Sequence, residues 1–497
     1  MNPAYAELER HYALIGKLGG AGNLLFWDRN VVMRPGSAPA HGEIAGALVQ
    51  VATEKAVDPR IGEWLLQAEK ANGLSAWQRA NVVEMRRHYR HATSVPVALL
   101  TRKARHSAVL NQTWQKARAE KNFALFAPGL AEMVQIMREI GEHKSRALGV
   151  SPYDALIDEN DPGVTCAIVD RVFDQLGKAL PGILDEVLAK QSSWKVLPWR
   201  KDHDPKAQQA LCEALMKQIG YDFNHGRLDV TPHPFAMPGV PGDVRITTRY
   251  KEDDLRWGLL ATLHETGHSQ YEFNLPREWS YQPVGVARGA TLHESQSLML
   301  EMMACRSLEF IGFVAPMLAA KFGPDDPAYA FDNVRMHYQR IQRNFIRVEA
   351  DEVVYPLHVI LRYQIERKLL DGSLAVKDLP GAWNETMKKL IGVVPPDDAA
   401  GCMQDVHWTF GMFGYFPNYA LGAAAAAQLF EAATKQDASI LPSIGKGDFA
   451  AYFAWAKANV HQKASSESLD QIMTGATGST LSADALLRHL KQRYLNP

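Results

Sequence analysis

Cysteine is scarce in this chain: Cys166, Cys212, Cys305 and Cys402 are the only four in 497 residues, and none forms a C-x-x-C pair. That excludes a disulfide scaffold and a cysteine-built structural zinc site, and leads to the expectation of a reducing compartment, the cytoplasm. Long hydrophobic runs are missing too. The alanine-rich "GAAAAAQLF" at 422–430 falls far short of the roughly 18 apolar residues of a membrane span and reads as a tightly packed helix. The early apolar run "LGGAGNLLFW" is short, glycine-rich and without a cleavage site, so no signal peptide is read. Net charge is small as well, −1 from 54 Lys and Arg against 55 Asp and Glu, with no block of one sign. Nucleic acid and acidic membranes are therefore not expected partners. With no internal repeat and no low-complexity linker, the expectation is one domain over residues 1–497.

What is present is helical periodicity. "PAYAELERHYALIGKL", "AEMVQIMREIGEHKSRAL", "AIVDRVFDQLGKALPGILDEVLAK" and the long stretch 334–370 all space apolar residues three and four apart. The fold class is thus mainly α, a large single helical domain with a deep groove. The exception is "GRLDVTPHPFAMPGVPGDVRITTRY", residues 226–250, which predicts a small hairpin or three-stranded sheet. Segments around 192–204 and 231–242 read as surface loops. After the sheet, "KEDDLRWGLLATLHETGHSQYE" starts with acidic residues suited to a helix N-terminus and continues as an apolar stripe.

That helix carries the chemistry. His264 and His268 fall one turn apart on one face, so two imidazoles can reach one cation. Glu265 lies about 100° round the helix, outside that pair but within reach of an activated water. Trp257, Leu260 and Ala261 on the same stripe turn the face inward. Two buried histidines bonded to carbonyls would give the same pattern. A catalytic zinc takes three protein ligands, and Glu294, 26 positions after His268, stands on a stripe with Leu298, Glu301, Met302 and Cys305. A carboxylate on an apolar face needs a partner, either the cation or a buried arginine. His293 is the rival ligand, on a less buried face. Glu301 suits a supporting role behind the ligands.

"HETGH" at 264–268, "HESQS" at 293–297, "IRVEAD" at 346–351 and "GCMQDVHW" at 401–408 resemble, in order, the motif series of the thermostable carboxypeptidase (carboxypeptidase Taq) family of zinc metallocarboxypeptidases. "HPF" at 233–235, "DVRIT" at 243–247, the opening "LLFWDRNVVMRPGSA" and the closing "IMTGATGSTLSADALLRHLKQRY" extend the resemblance over nearly the whole chain. "MRPGSAPAHGEIAG" departs from the family's Met-Pro-Gly pattern, which touches the lid-like N-terminal helices and not the metal motifs. The resemblance implies a gluzincin-like site with His264, His268 and Glu294 as ligands to one Zn2+, or sometimes Co2+, and Glu265 as general base. It further implies an N-terminal helical lid over about 1–100, a metal-site core over about 226–420 in a saddle-shaped helical fold, a homodimer, and removal of single residues from peptide C-termini with broad specificity.

Other roles follow from what such a reaction needs. The tetrahedral oxyanion needs a donor, for which His407 is the candidate, assisted by Tyr419 or Tyr415. His407 beside Trp408 also reads as a core histidine. A free substrate carboxylate calls for a forked arginine, and Arg347 resembles the family's candidate, although Arg343 serves equally on spacing and Arg347 could instead pair with Asp351 one helical turn on. Arg245 belongs to a hairpin that could add an extended peptide as a strand, or it braces Asp243. A helical oligopeptidase or aminopeptidase with the same metal site is the alternative function.

Overall fold

The computed structural model describes residues 2–496. They separate into two compact units, neither of them a continuous stretch of sequence. One comprises Met1–Tyr89, Trp194–Gln339 and Ala425–Thr480; the other comprises Arg90–Ser193, Arg340–Ala424 and Leu481–Pro497.

In the first unit the helix Pro3–Trp27 starts where Asn2 accepts the Tyr5 N–H and Pro3 supplies a preset φ. Its Tyr5, Leu8 and Tyr12 are buried against Ile61, Leu65, Val82 and Met85. The three-stranded sheet consists of β1 (Leu228–Val230), β2 (Phe235–Val240) and β3 (Asp243–Thr248) in the order β1-β3-β2. β1 runs parallel to the central β3, and β2 pairs antiparallel with Ala236 opposite Ile246. The segment 231–242, expected as a loop, therefore contains an edge strand, where Pro238 costs no ladder bond and a bulge follows it.

The motif helix, Leu255–Phe273, is capped by Asp254, which accepts the Arg256 N–H. It is buried on most of its circumference and fixed to β3 by Thr262 Oγ1 donating to Thr248 Oγ1 at 3.0 Å. The helix Gly289–Leu298 packs across it at Gly267. The stripe expected to run on through Cys305 is interrupted, because Met299–Ala304 is π-helical and closes with Cys305 N–H donating to Leu300 O. Such single-turn π segments re-aim side chains and gather at functional sites.

The expected helix over 334–370 is not continuous. Regular α-helix ends at Tyr338, a 3-10 turn covers Arg347–Glu349, and α-helix resumes over Tyr355–Asp371. Asp351 explains the break: its carboxylate takes the N–H groups of Gln342, Val353 and Val354. Captured this way, those donors cannot propagate a helix. The alanine run lies in the helix Pro417–Gln436, with Ala423, Ala424, Ala425, Ala426 and Ala427 all buried. Among the described residues no helix is long and apolar enough to cross a membrane.

Candidate metal centre and active site

The motif helix brings His264 and His268 to one face, and the crossing helix delivers Glu294 to it. Glu294 Oε2 lies 3.9 Å from His264 Nε2 and 3.5 Å from His268 Nε2. One donor atom from each of the three residues falls within 4.8 Å of the others. Ligands around a tetrahedral cation at about 2.1 Å would be about 3.4 Å apart, so this donor set, two imidazoles and a carboxylate, fits a divalent metal. The three side chains keep 22%, 13% and 11% of their surface exposed, leaving access for water and substrate.

Both far ring nitrogens are engaged. His264 Nδ1 donates to Glu301 Oε2 at 3.4 Å, and Glu301 Oε1 is held by Arg306 Nη2 at 2.5 Å. His268 Nδ1 meets His293 Nδ1 at 2.7 Å, and His293 Nε2 meets Glu272 Oε1 at 2.9 Å. His293 is thus turned away from the donor triangle, with both nitrogens in use.

Charge in this pocket is strongly redistributed. Burial alone would raise Glu294, but His264 and His268 outweigh it and draw its pKa down to about 2. Burial opposes a charged His264, yet Glu294 and Glu301 lift it to about 9. Burial pushes Glu265 up to about 7, partly offset by His264, and the Ala236 N–H of β2 points at its carboxylate.

A second constellation lies in the other unit. Arg347, buried, lays Nε and Nη2 on Oδ1 of Asp405 at 3.1 and 3.0 Å, and Arg362, fully buried, takes Oδ2 through Nε at 2.7 Å. Arg347 therefore pairs with Asp405 and not with Asp351, because the helix that would have aligned it with Asp351 is broken. Arg343 goes elsewhere, to Asp185 and to Ile391 O. The Arg347 guanidinium stands 4.7 Å over the Tyr419 ring, and Tyr419 OH lies 3.2 Å from His407 Nε2. His407 is held neutral, its pKa pushed to about 3 by burial and by Arg347. Tyr415 closes the aromatic cluster, its ring 5.5 Å from that of Tyr419.

Arg245 is bound to Asp243 through Nε and Nη2 at 3.0 and 2.8 Å. It sits on β3, which is paired on both sides, so its own strand cannot accept a peptide. Only β2 of the hairpin is at an edge.

The sequence profile of the carboxypeptidase Taq (M32) metallopeptidase family matches residues 7–494. The chain belongs to that family. It is 34% identical to thermostable carboxypeptidase 1 of Thermus thermophilus over 98% of this chain and 97% of the relative. The structure superposes on a Trypanosoma cruzi metallocarboxypeptidase 1 with a TM-score of 0.97 at 38% identity, covering 99% of this chain and 100% of the other. An M32 carboxypeptidase of Deinococcus radiodurans gives a TM-score of 0.93 at 30% identity, with 99% of each chain covered. The protein is a metallocarboxypeptidase, a hydrolase of peptides that works with a divalent metal, and its mainly helical fold with one small sheet is the fold of this family.

Several contributors escaped the sequence reading. Asp405 stands two residues before His407 in the same motif and would have been found by asking what neutralises Arg347. Arg362 hid inside an ordinary helical stripe. Gly267 lies in the middle of a helix, where glycine costs stability relative to alanine and so signals a close approach.

Proposed function

We propose that the enzyme removes single residues from free peptide C-termini with broad specificity, holding one zinc ion per chain on His264, His268 and Glu294, with cobalt as a competent substitute. The observation that carries this reading is the donor triangle of those three residues with the buried Glu265 beside it. A divalent cation held there supplies Lewis acidity, activating water and polarising the scissile carbonyl. Glu265 takes the proton of the attacking water on its carboxylate and passes it to the leaving amine nitrogen.

His407 is assigned to the oxyanion with Tyr419 or Tyr415 as second donor; their mutual contacts and the neutral imidazole support donation without added charge. Arg347 is assigned to the terminal carboxylate. Asp405 uses its Nε and Nη2, and the two guanidiniums that converge on this one carboxylate favour an incoming anion. An extended peptide adding as a strand would join β2, whose Ala236 already faces Glu265, with Arg245 flanking from β3. We further propose a cytoplasmic homodimer; the four unpaired cysteines support a reducing compartment.

Metal content by mass spectrometry, paired with timed digestion of a peptide and its C-terminally amidated twin, tests the reading. About one zinc per chain and stepwise loss from the free end of the unmodified peptide alone are expected. Equal cleavage of both peptides would overturn the assignment of Arg347.

A further inference from the structure

The ligand helix continues past its two histidines to Glu272, which lies a further turn along the face shared by His264 and His268. Between this carboxylate and His268 stands His293, from the crossing helix. Its ring centroid is 4.6 Å from that of His268 with planes 29° apart. Their two Nδ1 atoms stand 2.7 Å apart, within hydrogen-bond distance.

The protons along this row follow from geometry. His268 Nε2 faces Glu294 Oε2 and the donor triangle, so as a ligand it is unprotonated and the neutral ring carries its proton on Nδ1. Two imidazole nitrogens at 2.7 Å share one and only one proton, so His293 Nδ1 accepts it. The other ring nitrogen of His293, Nε2, then donates to Glu272 Oε1 at 2.9 Å. Every donor and acceptor in the row is matched.

We propose that His293 and Glu272 form a positioning relay that fixes the tautomer and ring orientation of His268 for metal binding. The inference rests on the assignment of His264, His268 and Glu294 as ligands and adds a function for two residues outside that set. His264 is served differently, by the Glu301 carboxylate backed by Arg306, so the two ligand imidazoles are not electronically equivalent. The histidine read from sequence as a rival ligand becomes the support of one.

The test is zinc affinity by chelator competition, with the visible absorption of the cobalt-substituted protein, on full-length His293→Leu, His293→Asn, Glu272→Gln and His268→Ala. Asparagine offers a carbonyl oxygen near the position of Nδ1. We expect His293→Leu to weaken zinc binding by about 10-fold to 100-fold and shift the cobalt bands, and His293→Asn to recover most of the loss. Glu272→Gln should fall between wild type and His293→Leu. Zinc affinity and cobalt spectrum unchanged in His293→Leu, with metal lost in His268→Ala, would overturn the relay alone; metal retained in His268→Ala would overturn the ligand assignment beneath it. A cobalt spectrum of His293→Leu as depleted as that of His268→Ala would make His293 a ligand and also overturn the relay. If His293→Leu does not fold, Glu272→Gln decides: unchanged affinity and spectrum overturn the relay, and weakened binding with unchanged apo stability supports it.

Discussion

Arg347 and Asp405 are joined through two guanidinium nitrogens on one carboxylate oxygen, while the other oxygen of Asp405 is taken by Arg362. Burial resists charge in all three groups, and the arginines nonetheless hold Asp405 well below the usual carboxylate range. Asp405→Asn would leave two buried guanidiniums facing a neutral amide. The expected cost is about 3 to 5 kcal/mol in urea unfolding. With Arg347 no longer oriented, kcat/KM for peptides with a free C-terminus should also fall by at least about 10-fold in whatever variant protein remains folded.

Gly267 sets how closely the helices carrying His264, His268 and Glu294 approach. A Cβ at this position would lie 2.5 Å from Gln296 O and 2.7 Å from Ser297 Cα. Both are backbone atoms, so no rotamer change relieves the overlap and the helices must separate. Gly267→Ala is expected to destabilise by about 1 to 3 kcal/mol. Because Glu294 rides on the displaced helix, zinc content after dialysis should drop further than stability does. Wild-type metal content in a folded Gly267→Ala protein would show that the donor triangle does not depend on this contact.

Glu265 separates chemistry from metal binding. Glu265→Gln keeps a hydrogen-bonding side chain of the same size in the buried position beside β2 but cannot take a proton. Metal content should stay near one per chain while kcat falls by about 100-fold to 10,000-fold. Chelation of the wild type should abolish turnover and lower the thermal midpoint, since metal at about 1,000 times its Kd contributes about 4 kcal/mol to the folded state. Added zinc should restore both.

Legibility followed the range of the interaction that decides each feature. The helices at Pro3–Trp27 and Cys166–Gln191 and the His264, Glu265, His268 triad are set by contacts three and four residues apart, and their spacing is visible in one sequence. Placing Glu294 required only a second stripe. The stretch 339–354 carries the same periodicity but is not α-helical, because Asp351 captures the N–H groups that an α-helix would need. Nothing in a hydrophobic pattern reports such a capture. Asp405 and Arg362 were invisible for another reason: a partner 58 residues away from Arg347 in sequence is chosen by the fold. His293 was visible as a rival ligand, and only the geometry of its two nitrogens, facing His268 and Glu272, turns it away from the donor triangle.

His358 gives a pH dependence with a definite sign. It is fully buried, Nε2 donates to Asn344 O at 3.0 Å, and Nδ1 faces Arg362 Nη1 at 3.5 Å. Burial first and Arg362 second push its pKa down to about 3. A histidine in the unfolded chain titrates near 6.5, so as pH falls below that value the unfolded state gains a proton that the folded state refuses. The stability contributed by neutral His358 is therefore full above about 6.5 and is lost as pH falls toward 3. His358→Gln still reaches Asn344 O but does not titrate. The expectation is that wild type exceeds this variant in unfolding free energy at pH 7.5 and that the difference shrinks by about 2 kcal/mol between pH 6.5 and 5.0. Other titrating groups, those of the metal site included, are common to both proteins and cancel in the comparison. A difference that stays constant over that interval would mean that His358 accepts a proton in the folded state, with Arg362 moving away to permit it.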